Sequence, residues 1–167
     1  MALAIVSLLI SVVAILIALF AIFKKPAPPN VVTSPAGFES TTLRLQAYER
    51  LVLLTERISL LNLISRLNQP GISAYEMKII LTENIKQEFE YNSTQQLYVS
   101  QASWDSVRNL KEQNIMVVNQ VASSLPVTAS ASELNRKILE VLISQPGGGI
   151  HELVLQSLNF EAKKLMT

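Results

Sequence analysis

The sequence contains no cysteine and one histidine, His151. The first absence excludes disulfides, thiolate zinc sites, iron–sulfur clusters and cysteine nucleophiles; the second excludes a multi-histidine metal centre. Charge is scarce too. Only 16% of the 167 residues are charged, against about 25% in an ordinary soluble domain. With 14 Lys+Arg against 13 Asp+Glu the formal charge is +1, so the chain lacks the basic surplus that nucleic-acid binding normally requires. Its one glycine cluster, Gly147-Gly148-Gly149, is not followed by the Lys-Ser/Thr pair of a phosphate-binding loop, and no G-x-S-x-G nucleophile elbow occurs.

What the chain has in excess is apolar surface: 49% hydrophobic residues and a mean hydropathy of +0.32. Much of it is at the front. From Met1 to Phe23 there is no charge, no proline and no glycine. At about 1.5 Å per residue such a helix crosses a hydrocarbon core of about 30 Å. A cleaved signal peptide would have a basic start, a shorter apolar core and small residues at its end; here Phe20, Ile22 and Phe23 close the run. The expectation is an uncleaved transmembrane helix over residues 1–23. Lys24 and Lys25 follow it directly, and the positive-inside rule then places the N-terminus outside and the rest of the chain in the cytoplasm of an inner membrane. Within the run Ala4, Ser7, Ser11, Ala14, Ala18 and Ala21 advance by alternating threes and fours. A seam of small residues at this period suits close, left-handed packing against a second helix in the bilayer.

Residues 24–40 read as a basic, Pro-rich linker. Pro26, Pro28, Pro29 and Pro35 are four of the chain's seven prolines, and proline withholds a donor and favours an extended, semi-rigid spacer.

Residues 41–167 have helical periodicity with no convincing strand, so the fold class expected is all-α: a transmembrane helix, a linker and a small four- to five-helix bundle. The first helix is expected from Thr41 to Asn68, ending at Gln69-Pro70-Gly71. Its apolar rows are Ala47-Leu54-Leu61, Leu51-Ile58 and Leu53-Leu60-Leu67, a face wide enough for a central helix. Ser73 with Glu76 and Ser130 with Glu133 are capping boxes that open further helices. One runs to Tyr91, burying Met77, Ile80, Leu81, Ile85 and Phe89. Another runs from Ser100 to Ser124 with Trp104, Val107, Leu110, Ile115, Val118 and Val121 inward. The helix after Ser130 should carry Glu133–Lys137 and Arg136–Glu140 pairs on its wet face. After the glycines, read as a hinge, a last helix spans Ile150 to Leu165.

No catalytic, cofactor-binding or metal-ligating residue emerges. Glu88 and Glu90 are two apart, hence on different faces, which is wrong for paired-carboxylate chemistry. His151 reads as an ordinary first-turn residue. The unusual feature is the stretch from Glu88 to Ser100, rich in aromatics and amides, which suits either a contact surface or the satisfaction of two helix ends. With the Glu-Arg pairs of the first helix it gives a candidate partner surface: Tyr48, Glu49, Arg50, Glu56, Arg57, Phe89, Tyr91, Asn92, Gln95, Gln96, Tyr98 and Trp104.

Leu45-Gln46-Ala47-Tyr48-Glu49-Arg50-Leu51, the Gln69-Pro70-Gly71 break and the Glu88-Phe89-Glu90-Tyr91-Asn92…Gln95-Gln96-Leu97-Tyr98-Val99-Ser100 stretch carry a resemblance. The chain resembles a family of short, uncharacterised bacterial single-span membrane proteins with a helical domain. That resemblance implies an inner-membrane location and supplies no activity, cofactor or site residue. The expected function is an integral, membrane-anchored interaction or scaffold module, a homo-oligomer or a subunit of a larger complex. No enzyme activity, cofactor, nucleic acid or small-molecule substrate is expected. The alternatives are an enzyme at the membrane surface using Glu88 or His151, and an envelope protein of reversed topology with its domain in the periplasm.

Overall fold

The computed structural model describes residues 36–144 and 149–166. The apolar run with its seam (Ala4, Ser7, Ser11, Ala14, Ala18 and Ala21), the linker through residue 35, and Pro146, Gly147 and Gly148 lie outside the described residues. What is described is all-α. The helices are α1 (Ala36–Ile58), α2 (Leu60–Leu67), α3 (Ala74–Tyr91), α4 (Gln101–Ser123), α5 (Ala131–Ser144) and α6 (Gly149–Lys164), with a 3₁₀ turn at Ser93–Leu97 between α3 and α4. Among the described residues no helix is long and apolar enough to cross a membrane.

The core is assembled from one stripe of each long helix. Ala47, Tyr48, Leu51, Leu54 and Ile58 of α1 are buried together with Met77, Leu81 and Ile85 of α3 and Trp104, Val107, Leu110, Val118 and Val121 of α4. Leu134 and Ile138 of α5 and Val154 and Leu158 of α6 complete it. Each fully buried Leu or Ile contributes about 1.5–3 kcal/mol by leaving water. α1 packs on α6 and α3, and α4 packs on α3 and α6.

Two findings depart from the sequence reading. The expected helix from Thr41 to Asn68 is two helices. α1 begins earlier, at Ala36, and Ser59 with ψ 126° turns the chain before α2 starts. An extended residue in mid-helix frees carbonyls that the ladder would have used. Here those of Glu56, Arg57 and Ile58 each receive a side-chain donor. Asn62 Nδ2 donates to Glu56 O at 3.1 Å, Arg66 Nη2 to Arg57 O at 3.4 Å, and Asn114 Nδ2, from α4, to Ile58 O at 2.8 Å. The break also resets the apolar phase. After it Leu60, Leu63 and Ile64 are buried, whereas Leu53 and Leu61 of the expected rows are exposed. The wide apolar face is therefore two narrower faces with a turn between them, and the described residues form six α-helices where four or five were expected.

The second departure concerns the capping boxes. Both form: Ser73 Oγ accepts from Glu76 N at 3.2 Å and Ser130 Oγ from Glu133 N at 3.3 Å, while each Glu carboxylate accepts from its serine N–H. But the two N-termini also pair with each other through an antiparallel bridge between Ser73 and Ser130. Ala74 N donates to Ala129 O at 2.9 Å and Ala131 N to Ile72 O at 3.0 Å. These are the first N–H groups of α3 and α5, which have no partner inside their own helices. The turn leading in needs Gly71 at φ +88°, a left-handed conformation that disfavours a side chain. On α5 Arg136 pairs with Glu140 as expected; Lys137 turns to Glu140 as well, because Glu133 is occupied by its cap.

Candidate functional site

An open groove of about 960 Å³ runs between α1 and α3. α1 lines it with Gln46, Glu49, Arg50, Leu53, Leu54 and Arg57; Asn84, Gln87, Glu88, Tyr91 and Asn92 line the other wall. The local reason is periodicity. Residues 46, 50, 53 and 57 recur at helical spacing on the flank of α1 that the core stripe leaves outside, and residues 84, 87, 88 and 91 do the same on α3.

The floor is held by charge. Glu88, whose side chain is only 15% exposed, accepts a hydrogen bond from Arg57 Nη2, and Arg66 Nη2 of α2 stands 3.8 Å from the same oxygen. The Glu88 carboxylate holds the Arg57 guanidinium above its already high pKa. Because Arg66 also donates to Arg57 O, this cluster ties α1, the break at Ser59, α2 and α3 together. Above it, Glu49 and Arg50 have no ion-pair partner among the described residues, Leu53 is 56% exposed and Tyr91 is 76% exposed.

The groove thus gathers Glu49, Arg50, Arg57, Tyr91 and Asn92 from the candidate partner surface, and four of that surface, Tyr48, Phe89, Asn92 and Trp104, prove to be core or packing groups. Tyr48 is 1% exposed, and its hydroxyl accepts from Ser100 N at 3.3 Å and from Ser103 Oγ at 3.4 Å. Burial raises the phenol pKa, but the hydrogen bonds from Ser100 and Ser103 outweigh it and leave it below the ordinary value. Trp104 is 4% exposed, with Phe89 half-buried against it at 4.9 Å between ring centroids and Lys111 Nζ 4.7 Å over the Phe89 ring. Asn92 is buried, and its Nδ2 donates to Glu88 O at 2.8 Å, closing the end of α3. Much of the stretch from Glu88 to Ser100 therefore satisfies two helix ends. Gln96 and Tyr98 are exposed there, and Gln95 is half-buried.

Glu56 lies apart from the groove cluster. Its Oε2 accepts from Asn62 Nδ2 at 3.0 Å and stands 3.6 Å from His151 Nε2 on α6. Glu88 and His151 accordingly belong to separate clusters, one with two arginines and one with Glu56. Among the described residues no three His, Cys, Asp or Glu side chains gather in a way that could hold a metal ion. Sequence reasoning missed Gln46, Leu53, Asn84 and Gln87. A signal was available for three of them: Gln46, Leu53 and Gln87 each sit three or four residues from a selected one on the same helix face, whereas Asn84 is one turn from Glu88, which was not in that set.

The match to a family model settles the lineage: residues 1–165 fit a family of unknown function, DUF7935. The chain belongs to that family. The match takes in the apolar run and linker as well as the helical body. No curated protein and no solved structure matches the chain.

Proposed function

We propose that the chain is a single-span membrane protein whose helical body, on the cytoplasmic side, works by binding other protein surfaces through the groove between α1 and α3. The observation that carries the reading is the groove. It brings together Glu49 and Arg50, of opposite sign and without ion-pair partners among the described residues, amides at Gln46, Asn84 and Gln87, and an exposed leucine and tyrosine. Adaptable polar groups around a few large side chains are the chemistry of a contact surface. The uncharged run from Met1 to Phe23, closed by Lys24 and Lys25, supports the anchor and the orientation.

The experiment is site-specific photocrosslinking of the full chain in native membranes. A photoreactive residue replacing Leu53 should give defined protein adducts, and one replacing Val127, which is 99% exposed and outside the groove lining, should not. Equal adducts at both positions, or none at Leu53, would remove the groove from the account.

A further inference from the structure

We infer that the partner seated in this groove is a second copy of the same chain, related by a two-fold axis and held by Glu49 and Arg50 exchanged between copies. The inference rests on the reading of the groove as a contact face. A two-fold contact places one patch on itself, so a patch suited to it must carry its own complement. Glu49 and Arg50 are adjacent, opposite in charge, both groove-lining and both without an ion-pair partner among the described residues. The other two charged residues of the lining, Arg57 and Glu88, already pair with each other. What remains for a visitor is one cation and one anion per copy, which two copies satisfy mutually. A partner of a single charge sign would leave one of the two opposed.

The apolar contacts are self-compatible as well. Leu53 lies one turn from Glu49 and Arg50 on α1, and Tyr91 stands across from it on α3. Chain length is permissive. α1 begins at Ala36, and residues 24–35 can span at most about 43 Å at about 3.6 Å per residue. Two copies anchored side by side therefore keep their first helices within reach of each other. That tether raises the effective concentration of a weak groove contact.

The absence of cysteine makes the test clean. Gln87→Cys places one thiol on the exposed α3 wall of the groove, and the full chain in native membranes is treated with a bis-maleimide. The expected product is a homodimer. Glu49→Arg or Arg50→Glu in that background should each lower its yield by roughly tenfold, because like charges then face one another. The double variant Glu49→Arg/Arg50→Glu should restore it. Co-expressing the two single variants under different tags should give the mixed dimer at the parent's yield, while each alone stays roughly tenfold lower. That rescue by exchange excludes a folding defect. A yield indifferent to reversal, or adducts with proteins of other mass in place of the dimer, would overturn the second copy while leaving the groove a contact face. Adducts of no kind would overturn both. Recovery of the chain in the soluble fraction would contradict the anchor alone, and the dimer would still be scored by its yield.

Discussion

Two junctions of the body solve one physical problem in opposite ways. Where α3 and α5 begin, the unused N–H groups are satisfied by Ser73 with Glu76, by Ser130 with Glu133, and by each other's entering loop. Where α1 gives way to α2 at Ser59, there is no side-chain cap, and the freed carbonyls are taken by Asn62, Arg66 and Asn114. The first junction is built mostly from residues three apart. The second depends on Asn114, 56 positions away from Ile58. A helix end with a local cap can form before the fold does, whereas a break held by a distant donor exists only inside the assembled bundle.

The largest expected effect separates a paired helix start from an ordinary one. Proline at the first position of a helix is normally well tolerated. Ala131→Pro should instead destabilise the body by about 3 kcal/mol, because it removes the donor to Ile72 O at a position 1% exposed. Chemical denaturation with the midpoint read by circular dichroism checks it, and a neutral result would mean that the bridge contributes nothing.

Asn114→Ala tests the other junction. It leaves Ile58 O without its donor in a buried setting, with an expected loss of about 2 kcal/mol. Hydrogen exchange should show the loosening concentrated between Glu56 and Leu63, not at Ser73 or Ser130. Ser73→Ala and Ser130→Ala should each cost about 1 kcal/mol. Their double variant should deviate from additivity, because the two caps share one bridge.

The smallest effect is on pH. The Glu76 and Glu133 carboxylates are held below their ordinary value of 4.5, first by the serine N–H and then by its hydroxyl. A depressed carboxylate contributes stability above its unfolded value and loses it as pH falls through the lower folded value. The acid limb of the unfolding profile should therefore begin below about pH 4.5. Glu76→Gln with Glu133→Gln should flatten it.

The same contrast explains what could be read from the sequence. Both capping boxes, the ends of α3 and α4, the Gln69-Pro70-Gly71 turn and most inward positions were legible, because periodicity and capping act within a few residues. The break at Ser59 was not. Nothing between Glu56 and Asn62 spells a stop as Pro-Gly does, and the continued Leu and Ile spacing imitates an uninterrupted helix. For the groove, the charged pair Glu49 and Arg50 was visible, but the buried Tyr48 beside it was not separable by residue type. Tyrosine belongs equally to a contact surface and to a core with hydrogen-bond partners, and here Ser100 and Ser103 from a distant helix decide it.

The central claim is that the opening apolar run stays in the bilayer and tethers the helical body that makes the contacts. Its most direct measurement is carbonate extraction of native membranes followed by N-terminal mass analysis of the mature protein. The account predicts the intact chain, beginning before Pro26, in the extracted membrane pellet. A mature form that starts near Pro26 and is recovered in the supernatant would contradict it.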